Sequence, residues 1–238
     1  MTHVNPTLLL TRPRPQADRF AVQCRALLGA EDVVISPVLT IKPRGGAVDL
    51  AGVAGVLLSS ENGARVLAQA ADVAGVLAWC VGDRTAAVAR DLGMQAVSAG
   101  GTADDLVAMV LRARPKGPVL HAHGAETRGD VAQRLAAGGL TVTARVLYDQ
   151  VETGLTAEAK ALLAGTGDVV VPLFSPRSAR LFAAAAQGTQ ARLSVVALSP
   201  AVAQAWAVQR DENFTVAARP DAHHMLKTIA TIWTRLTG

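Results

Sequence analysis

The sequence predicts an α/β protein made of two similar parallel-sheet domains that are joined by a two-stranded antiparallel linker. Three observations predict this fold class. Short apolar runs alternate with longer amphipathic stretches along the chain, a pattern typical of buried parallel strands covered by helices. One strand–helix–strand–helix stretch recurs about 115 residues later. Two β-rich segments that do not lead directly into helices enclose about a hundred residues.

The predicted strands are apolar runs bounded by Gly, Pro, Ser or Asp. They are Thr7–Thr11, Asp32–Ser36, Ala54–Ser59, Val76–Val81, Val119–His123, Asp168–Phe174, Leu193–Leu198 and Phe214–Ala217. Each run is followed by a stretch with helical spacing. Leu106, Val107, Val110 and Leu111, for example, recur on one face of a predicted helix.

The internal repeat matches Ser60 with Ser175 and Gly82 with Ser199. In each copy a strand ends in Ser, a helix follows, and a second strand then ends in Gly or Ser before another helix. Two similar α/β units explain this order better than one long sheet does. The alternative is that any two such stretches look alike.

The two β-rich segments, residues 38–43 and 146–152, are expected to pair antiparallel and to form a hinge. Domain 1 would then combine residues 1–37 with residues 153–238, and domain 2 would be the inserted stretch 44–145. Clefts between domains are a preferred location for ligands, so we expect the site there.

Composition excludes several classes of protein. Half of the 238 residues are hydrophobic and 18% are charged, which excludes intrinsic disorder. The net charge of +4 is small and the arginines are scattered, so we expect no nucleic-acid partner. The sequence shows neither an apolar run long enough for a membrane helix nor a secretory signal. Cys24 and Cys80 are far apart in apolar sequence, which indicates buried thiols of a cytoplasmic protein.

Familiar catalytic motifs do not occur in the sequence. It contains no G-x-G-x-x-G after a strand, no phosphate-binding P-loop and no G-x-S-x-G elbow. His121 and His123 would share one face of a strand, but no third ligand has a matching spacing. We therefore expect no metal and no cofactor.

A hydroxyl or glycine recurs where a predicted strand ends before a helix. The pairs are Thr11-Arg12, Ser59-Ser60, Gly82-Asp83, Gly124-Ala125, Ser175-Pro176 and Ser199-Pro200. Helix N-termini at this edge of a sheet favour carboxylate or phosphate groups. A single such pair would be only a helix cap, whereas six divided between two facing domains suggest a cleft for an extended polyanion.

Six segments carry a resemblance to a known family, and they occur in family order. They are LLLTRPRPQADRFAVQCRALLGAEDVVISPVLTIKP, SSENGARVL, VGDRTAAVARDLG, HGAETRGDVAQRLAAGGLTVTARVLYDQV, FSPRSARLFAAA and ALSPAVAQAW. In this order and spacing the chain resembles the uroporphyrinogen-III synthases of tetrapyrrole biosynthesis over nearly its whole length. The resemblance implies a cofactor-free lyase. Such an enzyme removes water from the linear tetrapyrrole hydroxymethylbilane, inverts the last pyrrole ring and closes the macrocycle to uroporphyrinogen III.

The resemblance also implies roles for particular residues. Tyr148 matches the family's cleft tyrosine, which implies that its phenol protonates or positions the departing hydroxyl; the alternative is a structural linker residue. Ser60, Thr85 and Ser175 match polar positions that bind carboxylates or line the cleft. Arg12 matches a recurrent arginine that either holds its domain or touches the ligand.

The remaining candidates are less direct. Arg128, in the predicted helix start after Gly124, is a further candidate for binding a carboxylate. Ser199 is expected to substitute for a hydroxyl that family members often carry at the position of Val202.

The chain departs from the family in two places. At Val202 that hydroxyl is missing, and Glu61-Asn62 stands where a Pro-Arg pair is often seen. These departures leave open a homologue without activity.

Two further hypotheses come from other classes of protein. One is a non-catalytic module of this fold that binds a tetrapyrrole or another polyanion. The other is a periplasmic-type solute-binding protein, which the missing signal peptide argues against. Nothing in the sequence demands a partner surface, so we expect a monomer with a small-molecule substrate.

Overall fold

A computed structural model describes residues 5–126, 129–207 and 214–238. The chain divides into two compact units. Unit 1 combines Met1–Thr40 with Val151–Gly238, and unit 2 is the continuous stretch Ile41–Gln150. Each unit contains one sheet with helices packed against it.

The described helices and strands alternate along most of the chain. In chain order they are β1 (Thr7–Leu10), α1 (Arg14–Leu28), β2 (Val33–Ile35), β3 (Leu39–Pro43), β4 (Gly55–Leu58), α2 (Glu61–Ala70), β5 (Leu77–Cys80), α3 (Asp83–Asp91), β6 (Gln95–Ser98), α4 (Ala103–Ala113), β7 (Val119–Gly124), α5 (Val131–Ala137), β8 (Val142–Glu152), α6 (Ala157–Ala164), β9 (Asp168–Leu173), α7 (Pro176–Ala185), β10 (Arg192–Ala197), α8 (Pro200–Ala207), β11 (Phe214–Val216) and α9 (Ala222–Thr237).

Unit 1 contains a parallel sheet with strand order β11-β10-β9-β1-β2. Its two faces are both covered. Leu8, Leu9 and Leu10 of β1 are all fully buried; Leu9 packs into one apolar cluster, while Leu8 and Leu10 pack into the other. Alternate side chains of a strand point to opposite faces, so an unbroken apolar run indicates a strand buried on both sides.

Unit 2 contains a sheet with strand order β3-β8-β7-β4-β5-β6. The pairs among β4 to β8 are parallel. β3 runs antiparallel to β8, because the Arg44 N–H bonds to the Leu147 carbonyl whereas the Thr153 N–H bonds to the Val38 carbonyl. The predicted α/β fold class with two similar parallel sheets is confirmed.

The structure adds two features that the strand predictions lack. The sequence does not predict β6, because exposed Gln95 and Val97 flank Ala96 and the segment has no continuous apolar run. β8 begins at Val142, four residues before the predicted linker segment, and pairs in parallel with β7. β3 and β8 are therefore edge-side strands of the unit 2 sheet.

The two sheets have related strand orders. Numbered along the chain within each unit, and leaving out β3, the order is 2-1-3-4-5 in unit 1 and 3-2-1-4-5 in unit 2. The orders become identical if unit 1 is traced from β9 to β11 and then from β1 to β2. Unit 1 is thus a circular permutation of unit 2, in which β9 corresponds to β4 and β10 to β5.

Membrane-spanning helices were also sought. Within residues 5–126, 129–207 and 214–238, no helix combines the length and the apolarity that crossing a membrane requires.

Candidate functional site

The polar strand ends lie beside the point in each sheet where the strand order reverses. In unit 2 this point lies between β4 and β7, and in unit 1 it lies between β1 and β9. Parallel α/β sheets bind ligands outside the carboxyl ends of the strands at such points. Ser60 follows β4 and Gly124 ends β7, while Arg12 follows β1 and Ser175 follows β9.

In unit 2, Ser60 and Tyr148 form a pair of hydrogen-bonded hydroxyls. Ser60 is the N-cap of α2, with φ −152° and ψ 153°, and its Oγ accepts the Gly63 N–H at 3.1 Å. The Tyr148 hydroxyl lies 2.9 Å from the same Oγ. Tyr148 is only 3% exposed. The helix cap therefore fixes the serine, and the serine fixes the phenol.

The hydroxyl pair retains one hydrogen that the pair itself does not use. Each hydroxyl carries a single hydrogen, and one of the two lies between the Tyr148 and Ser60 oxygens, with either oxygen as donor. The Gly63 N–H is a donor as well, so it consumes an acceptor position and no hydroxyl hydrogen. The second hydrogen can therefore be donated to a ligand.

The environment of Tyr148 keeps its phenol protonated. Burial raises the pKa of Tyr148 above its ordinary value, and the hydrogen bond with Ser60 opposes this shift only in part. The phenol is thus a neutral hydrogen-bond donor near pH 7 and does not act as a phenolate.

In unit 1, the corresponding cap serine has a different partner. Ser175 is the N-cap of α7, with φ −148° and ψ 150°, and accepts the Ser178 N–H at 3.1 Å. Its hydroxyl also donates to Ser178 Oγ at 2.9 Å. The caps of α2 and α7 therefore have nearly the same backbone geometry, but a tyrosine accompanies the first and a second serine the other.

Arg12 lies over an aromatic ring at the same edge of unit 1. Its guanidinium carbon is 3.9 Å from the ring centroid of Phe174, the residue before Ser175. Phe174 in turn makes an edge-to-face contact with Phe20, with ring centroids 5.0 Å apart. Stacking of this kind orients a guanidinium while leaving its planar N–H edge able to contact carboxylates.

The other predicted residues lie at further strand ends or outside the described residues. Thr85 is a buried residue in the first turn of α3. The Ser199 carbonyl accepts the N–H groups of Val202 and Ala203 at the start of α8. Arg128 lies outside the described residues.

The two family departures occupy defined positions. Val202 is 2% exposed and belongs to the apolar core of unit 1, so this position serves packing. Glu61 begins α2, and its Oε2 lies 3.9 Å from Nε of Arg84 in α3.

Sequence reasoning missed three contributors. Ser178 could have been found, because it lies three residues after a predicted cap, where a capped N–H is expected. Phe174 and Gly124 gave no usable signal, because their contacts depend on which strands are neighbours. The structure places Tyr148 against Ser60, and Arg12 against the residue that precedes Ser175.

His121 and His123 lie side by side on β7, with ring centroids 4.6 Å apart. Burial, followed by repulsion from His123, lowers the pKa of His121 to about 4. In the part of the chain that the structure describes, no three His, Cys, Asp or Glu side chains form a group that could hold a metal ion.

The fold and these strand ends define a class: α/β proteins of two permuted parallel-sheet units, with hydroxyls at each reversal of strand order. A family model described as "Uroporphyrinogen-III synthase HemD" matches residues 18–227. The chain belongs to the uroporphyrinogen-III synthase family, whose members are lyases that cyclise hydroxymethylbilane.

Solved structures of this family share the fold. Uroporphyrinogen-III synthetase from Helicobacter pylori 26695 matches at a TM-score of 0.65 and 11% identity, over 95% of this chain and 99% of that chain. A mutant uroporphyrinogen III synthase from Thermus thermophilus gives 0.48 and 15%, over 96% and 99%. The wild-type enzyme from the same organism gives 0.41 and 16%, over 98% and 100%. A comparison with curated protein sequences gives no significant match.

Proposed function

We propose that this chain cyclises hydroxymethylbilane to uroporphyrinogen III, with inversion of the last pyrrole ring and loss of water, and that Tyr148 is its catalytic residue. Family membership over residues 18–227 supports the reaction. The observation that carries the residue assignment is the buried, neutral phenol of Tyr148 held 2.9 Å from Ser60 Oγ.

The proposed step is proton donation to the hydroxyl of the substrate. When the carbon–oxygen bond breaks, its electron pair stays on oxygen, which leaves as water once it receives a proton from the phenol. Formation of the new carbon–carbon bond and rearrangement of the ring later release one proton, which can return to the tyrosine. The net change is therefore the loss of one water molecule.

The remaining candidates are proposed to bind the acetate and propionate arms of the substrate. Arg12, stacked on Phe174, is the strongest of them, because a guanidinium binds a carboxylate through two parallel hydrogen bonds. Ser60 and Ser175 act at the N-termini of their helices, where unpaired N–H groups favour anions. Further candidates at strand ends are Thr85, Arg128 and Ser199.

Orientation is the main task that we assign to these contacts. Hydroxymethylbilane also closes without inversion in the absence of an enzyme, so the protein must hold one folded conformer and exclude another. Orientation of reacting groups can contribute about 7–11 kcal/mol to a barrier. A rim of carboxylate contacts suits that task better than a charged acid–base pair does.

We further propose a cofactor-free, monomeric enzyme of the cytoplasm. Loss of water and ring closure involve no net oxidation or reduction, so the reaction needs no redox cofactor. Cys24 and Cys80 are free and buried, and burial raises their pKa values to about 12 and about 11. Inert, unpaired thiols suit a reducing compartment.

The test is the isomer composition of the product. Purified protein is given freshly made hydroxymethylbilane, and the oxidised porphyrins are separated. We expect the type III isomer in excess over a blank without protein. A non-catalytic homologue would bind the substrate and yield only the type I isomer of the blank, and that result would overturn the proposal.

A further inference from the structure

We propose that Gly124 is a positioning residue for the reaction, because only a residue without a side chain lets the Tyr148 phenol reach Ser60. This inference rests on the proposed function of Tyr148. It concerns a residue at the end of β7 that the family resemblance does not assign.

The phenol of Tyr148 occupies the space that a side chain at Gly124 would need. A Cβ placed on Gly124 would lie 2.6 Å from Cε2, 2.7 Å from Cζ and 3.0 Å from the hydroxyl oxygen of Tyr148. The first two distances are shorter than real Cβ contacts. The hydroxyl end of the ring thus lies directly against the backbone of β7.

Steric exclusion, and not backbone conformation, accounts for glycine here. Gly124 is not among the chain's positive-φ glycines, so its φ does not itself call for glycine. Alanine would therefore test the contact with the ring without adding backbone strain. A single methyl group is a sharp probe of this position.

The backbone around the ring is held on both strands. Gly124 pairs with Tyr148 at an irregularity in the β7–β8 register, and the Ala125 N–H donates to the Tyr148 carbonyl at 2.9 Å. The Gly124 carbonyl lies 2.7 Å from His123 Nδ1. Because both backbones are tied, an added methyl group must displace the ring.

The required displacement is large enough to disturb the hydroxyl pair. Ordinary contact distances are about 3.4 Å or more, so the ring must move by roughly 0.8 Å. A misplacement of about 1 Å can cost about a hundredfold in rate. Gly124→Ala should therefore act on the chemical step through Tyr148.

The experiment compares Gly124→Ala with Gly55→Ala in the full-length protein. Gly55 begins β4, and its Cβ would strike the Trp79 ring, so this control crowds an aromatic ring in the same unit away from the hydroxyl pair. We expect Gly124→Ala to lower kcat for type III product at least tenfold with little change in KM. Gly55→Ala should keep kcat per folded molecule close to that of the wild type.

A double-mutant cycle separates positioning from general damage. In the Tyr148→Phe background, Gly124→Ala should lower kcat by less than twofold, because the hydroxyl that it misplaces is already gone. A full tenfold further loss in that background would overturn the proposal.

Tyr148 is the only tyrosine of the chain, so the ultraviolet absorbance of tyrosinate during a pH titration reports this residue alone. Gly124→Ala should move the titration midpoint and Gly55→Ala should not. A folded Gly124→Ala protein with the wild-type midpoint and kcat would overturn the proposal.

If Gly124→Ala does not fold, a version carrying Tyr148→Leu as well should recover folding, and failure to recover would overturn the proposal. The titration needs no substrate, so it separates failure of this inference from failure of the proposed activity, which a wild-type protein yielding only type I isomer would show.

Discussion

At the scale of single residues, the account depends on a tyrosine whose hydroxyl is buried but not isolated. Family resemblance identified Tyr148, but nothing in the sequence identified its partner, since Ser60 lies 88 positions away. Their contact exists because β8 joins the sheet beside β7 and places the ring over Gly124. Pairing of distant strands cannot be deduced from the spacing of residues along one strand.

The first prediction concerns the ionisation of Tyr148. Its tyrosinate titration should have a midpoint above pH 10, because burial disfavours the charged form. Ser60→Ala should raise the midpoint further, since it removes the hydrogen bond that lowers the pKa. A midpoint at the ordinary value of free tyrosine would show that the ring is solvated.

The same shift sets the sign of an alkaline effect on stability. In the folded protein Tyr148 holds its proton to higher pH than in the unfolded chain. The free energy of unfolding should therefore fall as pH rises above about 10.

The second prediction concerns His121. Its folded pKa of about 4 lies below its ordinary value of 6.5, so the unfolded chain binds the proton first as pH falls. The free energy of unfolding should drop by about 3 kcal/mol between pH 7 and pH 4 on account of this group. Urea unfolding at the two pH values measures the drop. His121→Leu should remove that part of it, whereas a substitution at exposed His223 should leave it intact.

At the scale of helices and strands, the two cap serines form a natural matched pair. Ser60 and Ser175 have nearly the same backbone angles, and each accepts an N–H at 3.1 Å. The sequence predicts both caps, because a hydroxyl follows an apolar run and precedes helical spacing. Their different side-chain partners, Tyr148 and Ser178, arise from the packing of each unit.

The third prediction separates capping from catalysis. Ser60→Ala and Ser175→Ala should each lower the free energy of unfolding by about 1 kcal/mol through the lost cap. Only Ser60→Ala should also lower kcat severalfold, because only Ser60 holds the phenol, while Ser175→Ala should mainly raise KM. Chemical denaturation and steady-state kinetics measure the two effects. Equal kinetic losses in both variants would contradict the assignment.

The strands show which part of the fold local sequence determines. The strands buried on both faces are predictable, because such strands read as continuous apolar runs. The strand β6 and the first residues of β8 are not, because polar or exposed residues interrupt them. For these segments, pairing with a neighbouring strand outweighs local apolar content.

At the scale of the whole molecule, unit 2 is a continuous stretch inserted into unit 1. The insertion separates β2 from β9, so the strands of unit 1 come from both ends of the chain. Within unit 2, the Arg44 N–H bonds to the Leu147 carbonyl, and Arg44 forms an ion pair with Asp149 at 2.8 Å. The two ends of the insertion are therefore adjacent.

The fourth prediction follows from this arrangement. A protein comprising residues 41–150 alone should fold cooperatively, because its core and its sheet come from within that stretch. Circular dichroism during thermal unfolding would show a single transition. A fragment without such a transition would mean that unit 2 depends on unit 1 for its stability.

The central claim is that the hydroxyl of Tyr148 drives loss of water from hydroxymethylbilane, and the most direct measurement is the rate of type III product formation by Tyr148→Phe. This substitution removes one oxygen and keeps the ring that packs on Gly124. The account predicts a fall in kcat of at least tenfold, or about 1.4 kcal/mol of activation free energy, in a protein as stable as the wild type to within about 1 kcal/mol. A variant that forms type III product at the wild-type rate would contradict the account and leave Tyr148 a structural residue.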